Sequence, residues 1–499
     1  MMPERAVLLI ILCVVIVLST LGFSALPAPY GDNARYIIVA QSLAAGKGMA
    51  LANAPEQPQD TKYPPGYPLL LAGLIGIFGY HLALLNALSL LCTLATVVIA
   101  WKFTRVLGFT RGMRILLTGI FALHPLTLEY SRVTLIEAAF VLTLLSTLYC
   151  LARFESENKA GWLRAAGALM IGAFCIRYSA IILTVAFIFV VRRNKTRAGL
   201  IGICGLTLLL LAAAFFYSGR NFSGSYFAEI LDAGNYLRPG NGTIGLTGFA
   251  GRYAYNAAAY AGNVLPETML PVTRYILPHT FWWPAKILLG LGCLAAMSAG
   301  FFRLRRREGA RNSLVFVLVY ALLLPAFPTY GSRYLFAALF FVLVLAFTGM
   351  ERLFRRRAPA VLAAAGAIFA AGAICATADI GMIRQGFEPQ WRNFYRSLDF
   401  IKEHAPAQAV VVCRKPFLAY LVAQRRAVGF PATADTGRMM EYLRRIAGAY
   451  VIVDSIDIAG IQFSRRFLEP AVRDYGDNFE LLYRLEAPQT AVYKVKTEP

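Results

Sequence analysis

The chain has 499 residues, 58% of them hydrophobic and only 15% charged, with a mean hydropathy of +0.57. Soluble domains carry about 25% charged residues, so this balance excludes an ordinary soluble globular protein and points to a chain dissolved mainly in lipid. The formal net charge of +22 does not signal nucleic acid, because most Lys and Arg stand in short clusters between apolar runs, as membrane topology requires.

A spanning helix needs about 20 apolar residues. The first run covers residues 6–26. Ser24 and Ala25 offer small residues for signal cleavage. The flank before the run carries only Glu4 and Arg5 and the run is long, so an uncleaved anchor is expected. Further runs begin near His81, Gly112, Arg132, Trp162, Tyr178, Ala198, Pro284, Ser313, Tyr334 and Ala358. The reading is therefore an α-helical polytopic membrane protein of about eleven spans, with the segment 162–191 short and broken near Arg177.

The connecting segments carry the charge. Lys102, Arg105, Arg111 and Arg114 form one cluster, and Arg153, Lys159 and Arg164 a second. Arg192, Arg193, Lys195 and Arg197 form a third, Arg303, Arg305, Arg306, Arg307 and Arg311 a fourth, and Arg352, Arg355, Arg356 and Arg357 a fifth. If the first helix leaves the cytoplasm, all five fall on the cytoplasmic side. Residues 27–80, a turn at 124–132, the stretch 219–281, a turn at 328–333 and the tail then lie outside, and these hold the Tyr-, Pro- and carboxylate-rich sequence.

The membrane part is expected over residues 1–385 and a small soluble α/β domain over 386–499. In that tail, helices are expected at 393–404 and 439–446, buried strands at 409–413 and 450–454, and a closing hairpin from 479–485 and 491–495. No glycine-rich nucleotide motif occurs there. Of eight cysteines, all but Cys413 lie in apolar stretches without paired spacing, which gives neither a disulfide framework nor a metal motif.

Chemistry concentrates in the outer segments. The first reads GDNARY, in which Asp32 either caps a following helix or presents a carboxylate. It continues TKYPPGYP. Pro64 and Pro65 end one element and start another, ahead of an apolar run too short to span. Lys62 is there either a snorkelling anchor or a ligand for a lipid phosphate. Glu137 enters a spanning helix, where an ionisable group is costly and usually faces a polar cavity. Glu129 is expected to pair with Arg132 at the surface. Arg177 in CIRYSA and Arg333 in GSRYLFAAL open two further helices at similar depth, where each could anchor the helix or grip a phosphate bidentately.

Taken in order, GDNARY, KYPPGYP, an acidic residue opening the fourth span, IRYSA and SRYLFAAL resemble bacterial members of glycosyltransferase family 39. These are relatives of protein O-mannosyltransferases and of the lipid A aminoarabinose transferase, with the GT-C membrane fold. The tail segments LDFIKEHAPAQAVVVCRKPFLAYLVAQRRAVGFP and YVIVD are similar to the outer domain of such proteins.

The resemblance implies transfer of a sugar from a polyprenyl-phosphate donor to a lipid, glycan or protein acceptor, with inversion, on the periplasmic face of a bacterial inner membrane. It implies Asp32 as catalytic carboxylate and Glu137 as a second one, although that place more often holds Asp. Lys62, Arg177 and Arg333 would bind the donor phosphate, and Arg35 and Tyr36 would support the first motif. Some relatives carry an acidic metal ligand where this chain has Thr61, so no metal or other cofactor is predicted. Outside this class, a transporter or lipid flippase is the main competing reading; a lipid-linked oligosaccharide ligase and a scaffold with a sensory outer domain are the others. A carrier would show two related halves, and the enzyme a cavity roofed by the first outer loop.

Overall fold

The first apolar run forms helix α1 (Glu4–Leu21) in the computed structural model. The structure describes residues 3–194, 197–217, 230–231, 243–271, 273, 283–354, 358–446, 449–458 and 460–496. About half of the segment 219–281, together with Lys195 and Arg355, Arg356 and Arg357, lies outside the described residues.

Next come α2 (Asp32–Ala44), α3 (Gly66–Phe78), α4 (Leu82–Val106), α5 (Arg111–Leu123), α6 (Pro125–Ser131), α7 (Ile136–Glu157), α8 (Ala160–Ile176) and α9 (Leu183–Arg193). They are followed by α10 (Arg197–Tyr217), α11 (Leu246–Ala259), α12 (Trp283–Leu304), α13 (Arg311–Leu323), α14 (Leu339–Leu353) and α15 (Ala358–Arg384). Six stretches are long and apolar enough to cross a membrane and four more are apolar but shorter, among the described residues.

Breaks account for the difference from eleven full spans. Pro125 has no N–H to donate and its ring crowds the preceding turn, so α5 stops at Leu123. The chain restarts as α6, capped by the His124 ring, where a turn was expected. The break expected at Arg177 is present: that residue is extended (φ −152°, ψ 122°) and is followed by a 3-10 turn, Tyr178–Ile182. Pro64 and Pro65 start α3, whose Leu69, Leu70, Ile77 and Phe78 face outward, as a short helix lying in lipid requires.

Two helices form the centre. The window of Ile136–Glu157 is 78% buried and that of Ser332–Leu353 83%. Helices apolar on every side belong in the middle of a bundle, and Phe340 and Phe341 of the second interlock with Phe103 of α4 and Phe316 of α13. Glu137 and Arg333 stand at the N-terminal ends of these two central elements. α12 and α14 meet through glycines: a Cβ on Gly349 would stand 1.7 Å from the Ala296 carbonyl oxygen, and one on Gly300 2.0 Å from that of Leu345. Small residues of this kind let membrane helices touch backbone to backbone. Gly349→Val is expected to destabilise the bundle by at least about 1–3 kcal/mol, read as a lower thermal midpoint in detergent; an unshifted midpoint would refute this packing.

The tail holds α16 (Pro389–His404), β1 (Val410–Val412), α17 (Pro416–Ala423), β2 (Arg426–Val428), α18 (Thr436–Arg444), β3 (Ala449–Val453), β4 (Asp457–Ile458), β5 (Ile461–Gln462), β6 (Phe479–Leu485) and β7 (Thr490–Val495). Five strands make one sheet in the order β2-β1-β3-β7-β6. β1 runs parallel to β2 and β3, and β7 antiparallel to β3 and β6.

The tail is tied to the segment between α1 and α4. The Ala427 N–H donates to the Asn53 carbonyl (2.7 Å), and the Asn53 side chain donates to the Ala427 carbonyl (3.0 Å). Ala34 of α2 lies in the apolar cluster built by Phe394, Leu398, Leu418 and Val411.

Candidate active site

Gly31 ends the approach to α2 at φ +93°, a conformation open to glycine, and it occupies the cap position. Asp32 is therefore not the helix cap, and no side chain caps this helix. Its carboxylate turns inward instead. Oδ2 accepts a hydrogen bond from Arg333 Nη1 at 2.7 Å, and Oδ1 accepts a longer one from the Tyr63 hydroxyl at 3.4 Å.

Arg333 also donates from Nε to Oε1 of Glu137. One guanidinium thus bridges the two carboxylates that the sequence singled out. Arg177 Nη1 stands 3.7 Å from the same Glu137 oxygen, with its guanidinium over Phe140 and Tyr334. Glu137 is 1% exposed, and its Oε2 is buried with no hydrogen-bond partner among the described residues. A buried carboxylate is tolerable only beside such cations.

Lys62 has its ammonium over the Tyr63 ring and its backbone N–H on Asp60 Oδ1 (3.0 Å). Arg35 does not reach Asp32 by hydrogen bond; it makes a bidentate pair with Asp60 (2.7 and 2.8 Å). Tyr36 is buried, edge-on to Tyr63 and Tyr67.

These groups line one cavity of about 1020 Å³, with Asp32, Arg35, Tyr36, Lys62, Arg177 and Arg333 all on its wall. Glu137 sits directly behind Arg333. Residues 28–32, 35, 36 and 62–64 of the segment between α1 and α3 line it together with Phe327, Pro328 and Thr329 and, from the tail, Trp391, Arg414, Lys415 and Phe417. α11 fixes the Phe327 side, since Asn256 donates to the carbonyls of Pro325 and Phe327 (3.1 and 2.8 Å).

Sequence reasoning missed several of these groups. Lys415 Nζ lies 3.4 Å from the Tyr30 carbonyl and stands next to Gly31; a single lysine ahead of a proline carries no pattern. Glu129 does not pair with Arg132. It accepts the Tyr30 hydroxyl, while Arg132 pairs with Asp379 of α15 at 3.0 Å. Both turn inward because the cavity, not bulk solvent, lies on that side of α6.

Burial opposes the charge of Asp32 most strongly, yet Arg333, by charge and hydrogen bond, with Lys62 and Lys415 holds its carboxyl below the ordinary carboxylate range. Burial, with Arg414 beside it, brings the Lys415 ammonium down to about 8, against the pull of Asp32 and Asp454. Among the described residues no group of three His, Cys, Asp or Glu converges as a metal site.

Residues 62–218 match the family described as dolichyl-phosphate-mannose-protein mannosyltransferase. The chain superimposes on the crystal structure of ArnT from Cupriavidus metallidurans bound to undecaprenyl phosphate, with a TM-score of 0.60, 11% identity and 97% of each chain covered. Against the apo state of that protein the TM-score is 0.56, again at 11% identity over 97% of each chain. The fold is thus the GT-C membrane fold with a small sheet region at its end. No curated protein matches the sequence.

Proposed function

We propose, from the match of residues 62–218 to the dolichyl-phosphate-mannose-protein mannosyltransferase family, that the chain moves a sugar from a polyprenyl-phosphate donor to an acceptor hydroxyl in the cavity beside Asp32. It is a multi-pass membrane glycosyltransferase. The observation that carries the site assignment is the Asp32 carboxylate on the wall of a cavity that Lys62, Arg177, Arg333 and Lys415 also line, at the N-terminal ends of the two central helices. ArnT, which shares the fold, is bound to undecaprenyl phosphate in its crystal structure.

In this reaction Asp32 takes the acceptor proton as the hydroxyl attacks the anomeric carbon, a general-base role. Attack opposite the leaving phosphate inverts the configuration. Lys62 and Arg177 hold the phosphate and stabilise the charge that grows on it. Arg333 shares that work: its Nε and Nη1 are spent on Glu137 and Asp32, which leaves the Nη2 hydrogens to reach a phosphate oxygen. Glu137 balances Arg333 and Arg177 and aims the guanidinium. The membrane part, residues 1–385, holds the prenyl chain, and the tail, residues 386–499, covers the acceptor side. With the five basic clusters in the cytoplasm, the N-terminus is cytoplasmic, and the cavity and tail face the periplasm of a bacterial inner membrane.

The pH profile tests the assignment of Asp32. A base held below the ordinary range stays ionised, so kcat/KM is expected to remain level down to about pH 4 and fall only below that. Lys415→Gln removes a cation beside Asp32, raises its pKa and should move that acid limb to higher pH. An acid limb that stays put in the variant would exclude this coupling.

A further inference from the structure

Arg35 and Asp60 are not among the groups given a step above, yet they form the best-defined ion pair near the cavity. Asp60 Oδ2 accepts from Arg35 Nε at 2.7 Å, and Oδ1 from Arg35 Nη2 at 2.8 Å. Asp60 Oδ1 also accepts the backbone N–H of Lys62 at 3.0 Å. The carboxylate is 2% exposed, and its backbone is held on both sides: the N–H by the Met49 carbonyl (2.7 Å), the carbonyl by the Tyr217 hydroxyl (3.2 Å). The Arg35 guanidinium lies between two rings, 5.0 Å from the centroid of Tyr63 in the first outer loop and 5.3 Å from that of Phe417 in the tail.

From this geometry we infer that the Arg35–Asp60 pair, steadied by Phe417 of the tail, is a positioning device that sets Lys62 in place to receive the phosphate of the lipid donor. The inference rests on the donor reading given above. Burial of an ion pair alone would speak only of structure, because such pairs often add little to stability. What distinguishes this one is that a single carboxylate oxygen is shared between Arg35 and the main chain of Lys62. Rotation of Asp60 therefore shifts Lys62 directly. The bidentate fork fixes that rotation, which a lysine at position 35 cannot do. The second ring comes from the tail, so the donor loop takes its final shape only with the tail docked on α2.

The test is titration of undecaprenyl phosphate onto the purified full-length chain in nanodiscs, with thermal midpoints measured alongside. Arg35→Gln, Arg35→Lys and Asp60→Asn are each expected to raise the Kd about tenfold, the worth of one charge-assisted hydrogen bond. Phe417→Leu should raise it about threefold, the scale of a cation–π contact. Lys62→Ala should weaken binding as Arg35→Gln does, and the double variant should bind no worse than Lys62→Ala alone, since both changes act through one ammonium. Lower thermal midpoints with an unchanged Kd would make the pair merely structural and overturn the inference. Additive losses in the double variant would overturn it too, by separating Arg35 from Lys62. If the wild-type chain itself does not bind undecaprenyl phosphate, the donor reading falls and takes this inference with it.

Discussion

Asp32→Asn is expected to lower sugar transfer by roughly 10²–10⁴-fold, the range a positioned general base contributes. The assay is transfer from a radiolabelled polyprenyl-phosphate sugar pool in membranes holding matched amounts of each protein. Asparagine keeps the size of the side chain and can still accept from Arg333 Nη1, so the cavity wall stays closed. Only the basic oxygen and its charge are lost. Donor affinity should change by less than about threefold, because the phosphate meets Lys62 and Arg177 rather than Asp32. Transfer by Asp32→Asn within a factor of two of wild type would reduce the carboxylate to a partner for Arg333 and remove it from the mechanism.

Glu137→Gln should act in two ways that can be told apart. Removing one partner from a buried ionic group costs about 3–5 kcal/mol, because the remaining cation is left without compensation. Here both Arg333 and Arg177 stand against Glu137 Oε1, so the thermal midpoint should fall clearly. Transfer should also fall, by about 10²-fold, since Arg333 is no longer aimed between Asp32 and the phosphate. The double variant Glu137→Gln, Arg333→Gln removes a compensated pair and should be more stable than the sum of the two single losses. Strict additivity in this cycle would show that Glu137 and Arg333 act separately, against the bridging geometry.

The sequence made the individual groups legible better than their partnerships. Glu137, Arg177 and Arg333 stand out because each is an ionisable residue opening an apolar segment, where its cost is hard to explain without a polar cavity. That Arg333 would join Asp32, 301 positions away, and Glu137, 196 positions away, is a matter of how the central helices pack, and spacing along the chain is silent on it. Asp32 shows how local and tertiary readings compete: aspartate ahead of a helix suggests a cap, but the glycine before it takes that position and frees the carboxylate. Asp60 was within reach, two residues before Lys62, since Asp accepts backbone N–H groups two positions on. Lys415 was not, because only the docking of α17 against α2 brings it to Gly31.

The same contrast holds for the fold. Long apolar runs such as α4 and α7 declare themselves by length and composition. The turn expected at 124–132 contains the break at Pro125 but gave no sign of the short helix α6 that follows it, and β2, three residues long, is too short for any period to show. The alternating helices and strands of the tail were readable because β1 and β3 are short, fully apolar runs between polar turns.

The central claim, consumption of a polyprenyl-phosphate sugar at Asp32, is tested most directly by mass spectrometry of lipid extracts. Membranes are compared from host cells lacking the chain, expressing it, and expressing Asp32→Asn at the same level. The account predicts that a polyprenyl-phosphate sugar accumulates in the first and third and is drawn down in the second, whatever the sugar proves to be. Identical pools of every polyprenyl-phosphate sugar in all three would contradict it.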